Sequence, residues 1–131
     1  MSARQLRVVV EAEDFDAAVA FFRDTLGLPV EEAISSDGGA EVVILDAGRA
    51  TLEIGNPAQK RLIDDVEVGR QVAPKIRLAL EVDDARAATD AAVAGGAELV
   101  APPTRTPWDS LNSRLQVPAG LQITLFTEGA R

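Results

Sequence analysis

Two stretches of this chain lie 70 positions apart and carry one pattern, so the chain must fold as two similar units. Leu6-Arg7-Val8-Val9-Val10-Glu11 and Ile76-Arg77-Leu78-Ala79-Leu80-Glu81 are short aliphatic runs in which Arg7 matches Arg77 and Glu11 matches Glu81. Each run leads to an acidic residue placed as a helix N-cap, Asp14 or Asp84, and then to an Ala-rich helical pattern. The far ends of the halves agree as well. Residues 48–54 lie over residues 119–125 at an offset of 71, and both alternate with the period of a half-buried strand. A duplicated strand–helix module follows.

Composition sets the bounds. A length of 131 residues fits one domain, and half of that length buries too little surface to stand alone, so the two modules should pack as one fold. The formal charge of −8 argues against nucleic acid, whose binding depends on neutralising phosphates. No apolar run is long enough for a membrane helix and no signal-peptide pattern opens the chain, so the cytoplasm is the expected location. Cysteine and histidine are absent, which removes thiolate chemistry, the commonest metal ligand and the commonest general base.

In chain order, residues 5–12 read as a strand with Arg7, Val9 and Glu11 on one face. A helix from Asp14 to about Leu26 buries Val19, Phe22 and Leu26 and is stopped by Gly27 and Pro29. Strands are expected at 29–34, 40–46 and 50–55, with a turn at Ser35–Gly39, and the first module, 1–56, closes at Gly55-Asn56-Pro57. Residues 57–73 read as a connector anchored by Leu62, Ile63, Val66 and Val68, and a connection of that length in a small domain is often functional. The second module, 74–131, repeats the order: strand 75–82, helix Asp84–Ala94, strand 97–101, then strands 112–117 and 121–127 joined by a turn at Pro118-Ala119-Gly120. Thr104–Leu111 reads as a loop after Pro102-Pro103. The fold class is α+β, with two tandem βαβββ modules in a single domain.

Such a tandem duplication resembles the vicinal oxygen chelate superfamily of glyoxalases, extradiol dioxygenases and bleomycin-resistance proteins. The residues that carry the likeness are Asp14-Phe15-Asp16 through Phe21-Phe22 to Leu26-Gly27, and Val117-Pro118-Ala119-Gly120 with the strand after it. The resemblance implies curved mixed sheets around a concave cavity. In the superfamily's metal enzymes, four side chains from equivalent strands converge there on one divalent ion. Carried over, those positions fall on Arg7, Glu53, Arg77 and Thr124. Only Glu53 is a competent ligand, and two guanidinium groups, which stay protonated in proteins, repel a cation. No metal and no other cofactor is therefore expected.

The cavity that remains has two readings. In one, Glu53 ion-pairs with Arg7 and Arg77 and the cluster is a plug that fills the space a metal would take. In the other, the arginines orient an acceptor on a ligand while Glu11, Glu53 or Glu81 meets a donor. Trp108, in a proline-rich loop, offers a flat apolar face suited to an aromatic ligand, or else serves as a core lid or a dimer contact. Asn112 and Arg114 alternate along the following strand as polar neighbours, and Phe126 faces the same side as Thr124. Phe21 and Phe22 read as packing residues. The expectation is a metal-free binding protein, similar to bleomycin-resistance proteins, that sequesters a small hydrophobic or aromatic natural product. The alternative is an enzyme of the superfamily acting by a metal-independent route. A homodimer with pockets at or near the subunit interface is expected, and no partner of nucleic acid or membrane.

Overall fold

The computed structural model describes residues 2–117 and 120–129, so Pro118 and Ala119 of the expected last turn lie outside the described residues. Its strands are β1 (Gln5–Glu11), β2 (Val30–Ser35), β3 (Glu41–Ala47), β4 (Ala50–Gly55), β5 (Ile76–Glu81), β6 (Glu98–Arg105), β7 (Ser110–Val117) and β8 (Leu121–Glu128). The helices are α1 (Phe15–Ala20), α2 (Pro57–Glu67) and α3 (Ala85–Ala94). All eight strands form one open mixed sheet in the order β2-β3-β4-β1-β5-β8-β7-β6. The modules meet where β1 and β5 pair antiparallel, with Arg7 opposite Ala79 and Val9 opposite Arg77. Moving 7 up by 70 and 79 down by 70 turns the first pair into the second with its strands exchanged, so the repeat is a two-fold about Val8 and Leu78. The flanking parallel pairs agree: Val8 sits beside Leu52, and Leu78 beside Ile123.

The helices divide between the faces. Val19 of α1 packs with Leu45 and Ile54, while Ala85 and Ala88 of α3 pack with Leu115, Ile123 and Leu125. Asp14 and Asp84 cap these helices as expected, each accepting a backbone N–H three residues on. Successive residues of a strand point to opposite faces. Leu115 therefore faces α3 while its neighbour Arg114 faces α2, which crosses the other side of the sheet.

Three local expectations are corrected. The connector, expected with no element of its own, holds a helix over Pro57–Glu67. Asn56 begins it by accepting the Gln59 N–H at 2.8 Å, and Pro57 at the first helical position gives up an N–H that has no partner there. Asn56 also accepts the Glu41 N–H and donates to the Gly39 carbonyl, tying the helix start to β3. Second, β6 continues through Pro102 and Pro103 to Arg105, and β7 begins at Ser110. Two prolines fit a strand here because β6 is an edge, paired only with β7, and its register shifts between Ala101 and Thr104. Third, α1 widens into a π-helical turn over Phe21–Thr25, closed by the Leu26 N–H on the Phe21 carbonyl. This turns Phe22 onto the core and leaves Leu26, expected to be buried, 55% exposed. Among the described residues no helix is long and apolar enough to cross a membrane.

Candidate functional site

The face of the sheet opposite α1 and α3 encloses a cleft of about 430 Å³, to which every strand except β6 contributes side chains. Arg7 and Val9 of β1, Arg77 and Ala79 of β5, Glu53 of β4, and Thr124 and Phe126 of β8 line it. Glu32 and Ile34 close one side, Trp108 and Asn112 the other, and Gln59, Ile63 and Glu67 of α2 form an end wall. A single chain supplies all of these walls.

The duplication brings Arg7, Glu53, Arg77 and Thr124 together on the floor, but not as one ion-paired knot. Arg7 donates to Gln5 Oε1 and Glu128 Oε1 at 2.7 Å each. Its Nη1 stands 3.6 Å from Glu53 Oε1, and its guanidinium lies 5.0 Å from the centre of the Phe126 ring. Arg77 turns instead to the Thr124 hydroxyl, at 2.7 Å. The expected two-armed pairing of Glu53 is thus reduced to one long contact, with Arg77 acting at greater range. Burial raises the Glu53 carboxyl above its usual range, and the charges of Arg77 and Arg7 offset that only in part. Burial likewise lowers Arg77 from its usual value, against the opposing pull of Glu67.

Arg114 is not among the residues that line the cleft. It is wholly buried under α2, where Nη1 meets Asp64 Oδ1 and Gln122 Oε1, and Nη2 meets Glu67 Oε1, all at 2.8 Å. Burial alone would raise the Asp64 carboxyl, but hydrogen bonds from the Ala73 N–H, Arg114 and the Val72 N–H outweigh it and hold Asp64 below its usual range. Glu67 reaches both sides: one oxygen binds Arg114, and the other accepts from Asn112 Nδ2 at 2.8 Å. Asn112 therefore lies at the cleft wall with its amide nitrogen engaged and its buried Oδ1 without a donor among the described residues.

Trp108 stands at the rim, 48% exposed, on a turn held by Thr106 and Ser110. Phe126 is buried beneath Arg7. Of the other expected carboxylates, Glu81 pairs with Arg4 and is not a cleft residue, and Glu11 lines only a small recess behind α2. Sequence reading missed Glu67, Gln59 and Ile63, which enter through α2. Their signal was Asn56-Pro57, an N-cap and a first-turn proline, ahead of Leu62, Ile63 and Val66 at helical spacing.

The donor set does not fit a divalent ion. At the four positions corresponding to the superfamily's metal ligands stand two permanent cations, a hydroxyl already bound to one of them, and a single carboxylate. Among the described residues no three Asp, Glu, His or Cys side chains gather where they could hold a metal.

Comparison with known proteins agrees with this fold. A hypothetical protein of Bacillus halodurans C-125 superposes with a TM-score of 0.73 at 13% identity, covering 100% of this chain and 98% of its own. Streptomyces coelicolor methylmalonyl-CoA epimerase, in complex with 2-nitronate-propionyl-CoA, gives 0.69 at 21% identity, covering 98% and 97%. The epimerase of Mycobacterium tuberculosis gives 0.64 at 22% identity, covering 97% and 87%. A search of curated protein sequences gave no match. The model of the glyoxalase-like domain matches residues 7–126. With that match over nearly its whole length and a duplicated βαβββ sheet around a concave cleft, the chain belongs to the glyoxalase-like family of the vicinal oxygen chelate superfamily.

Proposed function

We propose that this protein binds a small hydrophobic or aromatic molecule in its cleft without a metal ion, and sequesters it unchanged. The observation that carries the reading is the floor itself. Where a chelating relative needs ligands, this chain places Arg7 and Arg77, and the cleft above them keeps a volume of about 430 Å³, within the range of small-molecule sites. Apolar walls from Val9, Ile44 and Ile63, with Trp108 at the rim, suit a flat apolar body. A fluorescence screen of Trp108 against a panel of aromatic antibiotics, followed by native mass spectrometry, tests this. A hit should be recovered chemically unaltered.

One observation favours a second reading, a metal-independent enzyme. Glu53 is a cleft carboxylate that burial raises above its usual range, the direction in which a carboxylate is tuned for acid–base work. Two of the compared structures are epimerases of the same fold. Recovery of an altered molecule from the screen, lost in Glu53→Gln, would select this reading over sequestration.

We further propose a homodimer. Strand β2 is a sheet edge exposed along its length, with Val30 and Ile34 on it and Phe21 and Leu26 exposed in the segment before it. Light scattering at micromolar concentration should give twice the chain mass; a monomer mass removes the proposal.

A further inference from the structure

Three arginines lie beneath or around the cleft, and two of them have carboxylate partners. Arg7 is held by Gln5, Glu128 and, at longer range, Glu53. Arg114 is held by Asp64 and Glu67. Arg77 differs. It is 7% exposed, and among the described residues no carboxylate comes within ion-pairing distance of it. Its one acceptor among the described residues is the neutral hydroxyl of Thr124, which takes one of the five N–H groups a guanidinium carries. Arg114 Nε is sealed from solvent without a partner, but no nitrogen of Arg77 is. Arg77 lines both the cleft and the smaller recess beside it, so its unused donors lie at cavity walls rather than in packed interior.

Glu67, Glu53 and Asp64 act on Arg77 only at longer range, and a nearly buried cation whose donors lack direct partners is costly unless something occupies them. We propose that Arg77 is an anion subsite on the cleft floor, and that the natural ligand is a small acid whose carboxylate binds this guanidinium while its apolar or aromatic body lies toward Trp108. The proposal rests on the reading of the cleft as a small-molecule site and narrows it to one chemical class. Carboxylate geometry matches the planar fork of arginine, which can present two parallel N–H groups to two oxygens. Thr124 holds the guanidinium in place from the opposite strand and adds no competing charge. Arg7, expected with Arg77 to share this task, already has acceptors for its Nε and Nη2 groups.

The test uses benzoate, acetate and benzamide as probes, followed by NMR of the whole 15N-labelled protein. The Arg77 Nε–H signal is identified by its disappearance in Arg77→Lys, and the Trp108 indole N–H is the second reporter. Benzoate and acetate should both shift the Arg77 signal saturably, benzoate should also shift Trp108, and benzamide should shift Trp108 alone. Arg77→Lys should weaken benzoate by about tenfold or more, the usual scale for a lost charge-assisted pair. If benzoate and benzamide move Trp108 with equal affinity and leave Arg77 unmoved, the anion subsite is overturned and the cleft reading survives. If both acids move Arg77 but neither benzoate nor benzamide moves Trp108, the subsite stands and the aromatic reading fails. If no probe moves Arg77, the proposal is wrong whatever Arg77→Lys does to stability.

Discussion

Arg114 on β7 and Asp64 on α2, 50 residues apart in sequence, meet at 2.8 Å with neither side chain reaching solvent. This contact fixes the helix that walls the cleft, because Glu67, one turn further along α2, binds the same guanidinium. Replacing only the cation, in Arg114→Met, strands two buried carboxylates and should cost about 3–5 kcal/mol. Urea denaturation measures this; a loss below about 1 kcal/mol, within the range of exposed pairs, would show that α2 docks by other means.

The same carboxylate gives a pH signature. Asp64 is held below its usual range in the folded protein, so its contribution is present above the unfolded value near 3.9 and is lost as pH falls through the folded one. Asp64→Asn should therefore melt below the parent at pH 7, with the gap narrowing as pH falls below about 4. A gap constant across that range would mean that Asp64 does not act through its charge.

Glu53 should behave in the opposite sense. Its folded value is raised, so folding is favoured while it is protonated and loses that advantage as pH rises from about 4.3, where an unfolded glutamate titrates, through the folded value. Glu53→Gln should gain on the parent in melting temperature as pH is raised from 5 to 8. A parent that outlasts the variant at pH 8 would show that Arg7 and Arg77 more than compensate the buried charge.

Trp108 separates binding from folding. With half of its surface in solvent it contributes little packing, so Trp108→Ala should leave the melting temperature nearly unchanged. Losing a stacked aromatic contact should weaken an aromatic ligand by ~2 kcal/mol, about thirtyfold. Unfolding of the variant would make Trp108 a lid on the core; unchanged affinity in a stable variant would place the ligand elsewhere.

Much of this fold was legible because duplication writes one pattern twice. Arg7 and Arg77 announce two equivalent strands, and the two-fold pairing of β1 with β5 follows from that equivalence. What stayed hidden depends on contacts between distant segments. Nothing local marks Arg114 as buried, since alternation gives its face but not the α2 carboxylates waiting there. Pro102 and Pro103 read as a strand stop, and only the edge position of β6 makes them tolerable. The floor cluster was foreseen from Arg7, Glu53, Arg77 and Thr124, yet side-chain direction decided its chemistry. Arg7 goes to Glu128 and Arg77 to Thr124, a division set by β8 and invisible in spacing alone.

The central claim is a cleft that binds its ligand through arginine and aromatic side chains with no metal. Its most direct test is isothermal titration of benzoate into protein of measured metal content, before and after exhaustive chelation. The account predicts no stoichiometric divalent ion in the purified protein and the same Kd in both titrations. One divalent ion per chain, with binding abolished by chelation and restored by that ion, would contradict it.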